Sequence, residues 1–346
     1  MKVAFLPVYP NPYQRLLAEA LARQDTAVAM LPGLPSAAWL RANRPAVDIL
    51  HFHWLHSLYL AQWRTPLQAV AFLRRFRLAR ALGYGIVWTA HNVLPHRAAG
   101  LRPLHLAVRR LMMAEAGAVI VHCHAGQQEL TARFARTGPL VVIPHGHYRG
   151  LYPTPDRATA RQRLGLPAER FVYLSLGNIA AYKGLERYAA VFRATAANDD
   201  VAIIAGRNRD ARLVRRLRRA AAADRRLRLD VGFVPDARMG DYLAAADVMV
   251  APFTRILTSG SVIAALSYGL PVIAPDLGCL PQTIAGGGLV YPAERADGLA
   301  GALAAVKRAD LGRLRAAAVA AADALDWDDI ARQTAGVYRA VAARAA

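Results

Sequence analysis

Short runs of aliphatic and β-branched residues recur along this chain, separated by longer amphipathic stretches, and this rhythm constrains the fold more than any other feature. The first series predicts strands over residues 3–8, 28–31, 48–53, 86–91, 118–122 and 140–143, with helices notably at 58–81 and 104–116. The rhythm pauses over 145–170, where HGHYRGLYPTPDR has the Gly, Pro and Arg content of a surface connection. A second series then predicts strands at 171–176, 201–205, 227–231, 248–251 and 271–274, and helices at 185–195, 211–223, 238–245 and 261–268. Strands joined through helices pair in parallel, so the expected class is α/β, with two doubly wound Rossmann-like domains facing a cleft. The expected bounds are 1–150 and 165–325, an acceptable division for 346 residues. A last helix, 326–346, begins behind DWDD, where Asp326 or Asp328 can cap it, and is expected to pack back on the first domain.

Several classes drop out. The longest apolar stretch, 262–275, is cut by Ser, Gly and Pro before it reaches the ~20 residues of a bilayer crossing. Residues 1–8 do not read as a signal peptide. Cys123 and Cys279 are too few for a zinc site or a disulfide framework, and their apolar settings predict buried thiols in a reducing cytoplasm. No GxGxxG follows a strand, and GxxxxGK[ST], HExxH, CxxC and GxSxG are missing, which argues against dinucleotide, P-loop, metalloprotease, redox and hydrolase-elbow chemistry.

Lys and Arg outnumber Asp and Glu by 44 to 24, a net charge of +20 that calls for a polyanionic partner. The excess is concentrated in residues 1–165, with 20 basic against 6 acidic side chains. No acid lies between Asp48 and Glu115, whereas nine arginines from Arg64 to Arg110 do. Arg74, Arg75, Arg77 and Arg80 fall on one helical stretch and are the expected contacts with an anionic membrane surface. Nucleic acid is the rival partner, but the interleaved Trp63, Phe72 and Phe76 have helical spacing suited to a core, and no nucleic-acid motif is present.

The strongest local signal is PFTRILTSGSVIAALSYGLPVIAP at 252–275, which reads as strand, small-residue loop, helix and strand. Amides of Ser259, Gly260, Ser261 and Val262 would emerge from a helix N-terminus, with the Thr258 and Ser261 hydroxyls as extra donors, and Gly260 would let a phosphate approach the backbone. An ordinary Ser-capped helix explains the same residues equally well. In the first half, His91 follows an apolar strand and is the candidate base, since an unperturbed imidazole titrates near ~6.5. Asn92 follows it, and Asn11, Tyr13 and His53 are further candidates at strand ends on the acceptor side. His51 and His53 alternate onto one face, and no third ligand at metal-binding spacing joins them or His56. His96, His122, His124, His145 and His147 also fall near strand ends.

Four blocks of the second half, VIPHGHY (142–148), LGNIAAYKGLERYAAVF (176–192), GFVPDARMGDYLAAADVMVAPF (232–253) and SGSVIAALSYGLPVIAP (259–275), resemble GT-B glycosyltransferases of family 4. VDILHFHWLH (47–56) and IVWTAHNVLPH (86–96) extend the likeness to bacterial exopolysaccharide and lipid-linked mannosyltransferases. The resemblance implies a donor diphosphate paired with Lys183, and places Asn178 where the family has an arginine, leaving Arg207 or Arg255 to supply the charge. The family's two glutamates correspond to Ile256 and Ala264, so the sugar-contacting scheme is not carried over, and an inverting reaction with His91 as base is slightly favoured. The implied activity is transfer of a sugar, mannose favoured, from a nucleoside diphosphate donor, GDP before UDP, to a lipid-linked or glycolipid acceptor in cell-surface polysaccharide synthesis; a soluble acceptor is the alternative. No cofactor is expected, and no metal, because no Asp-x-Asp pair is placed to hold one on the diphosphate. The expected location is the cytoplasmic face of the plasma membrane.

Overall fold

The computed structural model describes residues 1–60, 65–95 and 100–345, and the chain divides into two compact units, 1–146 with 325–346 and 147–324. In the first unit the order is β1 (Lys2–Leu6), α1 (Pro12–Ala22), β2 (Ala27–Met30), α2 (Ala37–Asn43), β3 (Ile49–Phe52), α3 (His56–Tyr59), α4 (Thr65–Ala81), β4 (Gly85–Thr89), α5 (Arg102–Glu115), β5 (Ala118–Val121), α6 (His124–Thr131) and β6 (Leu140–Val142). The strands form one parallel sheet in the order β2-β1-β3-β4-β5-β6. Strands β3, β4 and β5 are buried along their whole length, which is why they read as unbroken apolar runs.

The terminal helix, Trp327–Ala345, belongs to this unit. Its Ile330, Ala331, Ala335, Tyr338 and Val341 share a core with Phe5, Leu17, Ile49, Val87 and Ile120. Asp326 caps it, its Oδ1 accepting from the Asp328 and Asp329 amides at 2.9 and 3.0 Å.

The second unit runs α7 (Arg157–Leu164), β7 (Val172–Leu176), α8 (Leu185–Thr195), β8 (Val201–Gly206), α9 (Ala211–Ala223), β9 (Leu227–Val231), α10 (Asp236–Ala245), β10 (Val248–Val250), α11 (Gly260–Ser267), β11 (Val272–Pro275), α12 (Leu280–Ile284), β12 (Gly288–Tyr291), α13 (Gly298–Val306) and α14 (Leu311–Asp323). Its sheet is also six-stranded and parallel, ordered β12-β11-β10-β7-β8-β9. Three sequence expectations need correction. Helix α7 occupies part of the stretch expected to be a connection, its Asp156 cap and left-handed Gly165 stop being signals that the Pro-rich surroundings obscure. Edge strand β12, GLVY, is absent from the expected strands because it is short and follows a glycine run. Cys123 and Cys279 are buried, but neither is a free thiol.

Candidate functional site

Strand β7 ends at Leu176, and the chain turns at Gly177, whose φ of +118° suits glycine alone. A single helical turn, Ala181–Lys183, follows and stops at Gly184 in the left-handed region, where a Cβ would lie 1.9 Å from the Pro252 carbonyl oxygen. This packing points Lys183 inward. It is 8% exposed, with Nζ 3.1 Å from Ser261 Oγ and 4.7 Å from the centroid of the Phe253 ring. Among the described residues no carboxylate pairs with it. Burial lowers its pKa from the usual lysine value to about 8. A small cavity lined by Gly177, Asn178, Lys183, Ala251 and Pro252 adjoins the amine.

Helix α11 starts beside it. Ser259 is the N-cap, and its Oγ lies 3.1 Å from Ser261 Oγ and accepts from the Val262 amide at 3.4 Å. This corrects the sequence expectation for Val262, whose N–H is consumed by the cap. The first-turn amides of Gly260 and Ser261 have no acceptor within the helix, while Thr258 is half-buried in the preceding loop. The group that closes on Gly260 is the Tyr148 phenol, whose oxygen would be 3.1 Å from a Cβ there.

The basic side chains are arranged differently from expectation. A bridge between Ile179 and Asn208 brings the segment after β8 alongside the β7 loop, and Arg209 Nε donates to Asn178 Oδ1 at 3.4 Å. Arg209, which sequence reasoning does not single out, is the arginine at Asn178. Arg207 instead lies over the exposed Phe233 ring, 4.8 Å from its centroid, and Arg255 is exposed on the loop before α11. Ile256 is half-buried and Ala264 buried, so neither family glutamate position offers a carboxylate.

In the first unit, histidines stand just beyond the C-terminal ends of four neighbouring strands: His53 after β3, His91 after β4, His122 after β5 and His145 after β6. All are buried. His91 Nε2 is 3.2 Å from His53 Nδ1, and His91 Nδ1 is 3.1 Å from His122 Nε2. His122 Nδ1 lies 3.0 Å from the Ile143 carbonyl oxygen. Trp54 stacks on His91 with ring centroids 4.3 Å apart and planes within 10°. Burial holds the His53 and His91 pKa values well below the ordinary range and lowers that of His122 to about 4, so the rings are neutral at neutral pH. His51 belongs to the same layer but is engaged by Tyr338 OH at 2.6 Å and Thr89 Oγ1 at 2.7 Å.

The proposed base is therefore placed otherwise than expected: both nitrogens of His91 are engaged, and in this layer His53 Nε2 is a buried nitrogen without a partner. His53 and His91 line a cavity with Trp54, His56, Asn92 and the buried Arg109. Arg109 donates to Tyr59 OH at 2.9 Å and to the Val93 carbonyl. Asn11 and Tyr13 are corrected too. Asn11 caps α1, its Oδ1 accepting from the Tyr13 amide, and Tyr13 is buried among the rings of His53, His91, His122 and His145. His96, with Trp63, Arg64 and Arg97, lies outside the described residues.

On α4 the exposed stripe is Leu67, Val70, Arg74 and Arg77, two apolar residues followed by two cations at helical spacing. Arg75 and Arg80 do not share its freedom: Arg75 donates to the Leu34 carbonyl at 3.4 Å, and Arg80 pairs with Glu115. No described helix is long and apolar enough to cross a membrane, and no described group of His, Cys, Asp and Glu is arranged to hold a metal.

Residues 170–308 match the family described as Glycosyl transferases group 1. A GDP-mannose:glycolipid 4-beta-D-mannosyltransferase from Xanthomonas campestris pv. campestris is 28% identical over 241 residues, 66% of this chain and 61% of the relative, so the chain spans less than two thirds of that protein's length. A D-inositol 3-phosphate glycosyltransferase from Streptomyces scabiei is 28% identical over 95% of this chain and 75% of its own. Among solved structures, sucrose-phosphate synthase from Thermosynechococcus elongatus superposes with a TM-score of 0.77 at 21% identity over 98% of both chains. Anabaena HepE in complex with UDP-glucose gives 0.74 at 18% identity, over 97% of this chain and 98% of that one. By fold the chain is GT-B along its whole length, and residues 170–308 match the group 1 glycosyl transferase model.

Proposed function

We propose that the chain is a glycosyltransferase that takes a sugar from a nucleoside diphosphate donor and passes it to a lipid-linked or glycolipid acceptor in cell-surface polysaccharide synthesis. The observation that carries this reading is Lys183, a cation buried without a carboxylate beside the open first turn of α11. Burial of an unpaired charge is costly, and a diphosphate would offset that cost by supplying the counter-ion while the Gly260 and Ser261 amides donate to its oxygens. Arg209 and Asn178 would flank the same anion, and the exposed Phe233 under Arg207 offers an aromatic face for the nucleoside base. Mannose and GDP are favoured because the Xanthomonas relative is named for them, and a glycolipid acceptor for the same reason. With no carboxylate at positions 256 and 264, the acceptor hydroxyl would give its proton to the histidine layer, which fits an inverting displacement. Membrane association would use α4, at the inner face of the plasma membrane.

The test is calorimetric titration with GDP, UDP, GDP-mannose and UDP-glucose, followed by transfer of labelled sugar to polyprenyl-diphosphate-linked saccharides in liposomes. Micromolar binding of one nucleotide and label recovered in lipid support the reading, and an absence of nucleotide binding defeats it. A soluble acceptor is the second reading, favoured by the inositol phosphate named for the Streptomyces relative. Transfer to inositol phosphate without lipid would establish it.

A further inference from the structure

The hydrogen bonds of the histidine layer fix the tautomers of three rings. The Ile143 carbonyl can only accept, so His122 Nδ1 carries the hydrogen. His122 is neutral, so its Nε2 is bare and accepts from His91 Nδ1–H. His91 Nε2 is then bare and accepts from His53 Nδ1–H, which leaves His53 Nε2 as a bare lone pair. That atom is buried, unpartnered and part of a residue that is 1% exposed and lines the cavity with Asn92 and Arg109. The sheet produces this row: β3, β4 and β5 are adjacent parallel strands ~4.8 Å apart, and residues at their ends bring ring centroids to 5.4 and 5.0 Å.

We propose that His53, His91 and His122 form a proton relay anchored on the Ile143 carbonyl, in which His53 Nε2 receives the acceptor's proton and His91 and His122 are positioning residues that take up its charge. Its catalytic part rests on the transferase reading; its tautomers do not. The acceptor O–H bond breaks and the proton joins His53 Nε2. His53 Nδ1–H passes to His91 Nε2, and His91 Nδ1–H passes to His122 Nε2. The acceptor oxygen bonds to the anomeric carbon as the bond to the diphosphate breaks, its electron pair leaving with the diphosphate. One positive charge then rests on His122, still donating from Nδ1 to Ile143.

The groups facing the relay are His51 from β3, Tyr13 from α1, His145 after β6, Trp54, and His56 and Arg109 at the cavity. No carboxylate hydrogen-bonds to His53, His91 or His122 among the described residues. Burial keeps the unloaded relay neutral.

The test is nitrogen-15 NMR of the full chain labelled at histidine. Free neutral histidine favours the Nε2–H form, whereas three rings here should show Nδ1–H, with couplings across the His53–His91 and His91–His122 hydrogen bonds. Either of these two pairs uncoupled, or any of the three rings in the Nε2–H form at neutral pH, overturns the relay. A positioned base is worth about 10²–10⁴ in rate, so His122→Phe should lower kcat by about 10- to 100-fold, with donor KM unchanged and the acidic limb of the pH profile moved. His122→Gln, which keeps an acceptor for His91 Nδ1–H but cannot take a proton, should retain the His91 tautomer and stay slow. A folded His122→Phe protein with full turnover would overturn the catalytic role. The couplings present in a chain that transfers no sugar would leave the relay standing and defeat the transferase reading alone.

Discussion

Replacing Lys183 by Met should move stability and ligand binding in opposite directions. The lysine pKa falls from its ordinary value of 10.5 to about 8 through burial. At ~1.36 kcal/mol per pH unit, carrying the charged form in the fold costs about 3 kcal/mol. The amine regains part of this, on the order of 1–2 kcal/mol, from the Phe253 face and from Ser261 Oγ. Lys183→Met, close in length and uncharged, should therefore stabilise the second unit by about 1–2 kcal/mol, or roughly 2–8 °C in Tm for a unit of this size. A hydrogen bond to a charged group contributes about 1.5–3 kcal/mol, so the variant should lose about 10- to 150-fold in affinity for the nucleoside diphosphate. The pH dependence has a definite sign. The diphosphate binds the protonated amine, so wild-type affinity should hold below pH 8 and fall as pH rises through about 8, while Lys183→Met shows no such fall. Scanning calorimetry and titration calorimetry on the two proteins decide it. A variant that is less stable and binds nucleotide as tightly as wild type would mean that Lys183 is a packing residue and the anion site lies elsewhere.

The first unit should be sensitive to acid. His122 has a folded pKa of about 4 against ~6.5 unfolded, so stability is fully present above 6.5 and is lost as pH falls, by about 2 kcal/mol at pH 5 from this residue alone. Trp fluorescence across a urea series at pH 7 and pH 5 measures the loss, and equal midpoints would refute neutral burial. On α4, each cation near an anionic surface contributes ~1 kcal/mol, so Arg74→Glu/Arg77→Glu should weaken flotation with anionic liposomes at least ~30-fold and remove its salt dependence. Equal binding of wild type to neutral and anionic vesicles would make the charge excess merely compositional. Sugar transfer should survive EDTA, because Lys183 and the α11 amides can neutralise the leaving diphosphate; activity lost to EDTA and restored by manganese would show otherwise.

The alternation of apolar runs places eleven of the twelve strands within about two residues, because parallel strands covered on both faces must be continuously apolar. Helices α8 and α9 are legible to the residue, since Gly184 and Asp210 mark their starts. Two elements escape the pattern. β12 offers four residues after two glycines, and α7 is enclosed by the Pro and Gly composition that signals a loop. The pattern over 58–81 predicts one continuous helix, but the structure gives α3 and α4 as separate elements on either side of undescribed residues.

The candidate residues of the two units are unequally legible for a physical reason. Ser259, Gly260 and Ser261 are close in sequence to the turn that presents them, so local pattern is enough to find them, whereas Lys183 enters through the family resemblance alone. The contact of Arg209 with Asn178 depends on the bridge between Ile179 and Asn208, a pairing that no local pattern contains. The histidine layer is the extreme case. His53, His91 and His122 each look like an isolated polar residue ending an apolar strand, and although His91 reads as a candidate base by itself, nothing in the sequence joins the three. Their relation exists only once β3, β4 and β5 are known to be consecutive in the sheet, because lateral order turns residues 31–38 positions apart into ring neighbours. The usable signal is the repetition itself: imidazoles just beyond successive strand ends of one parallel sheet must converge on the edge where such sheets bind ligands.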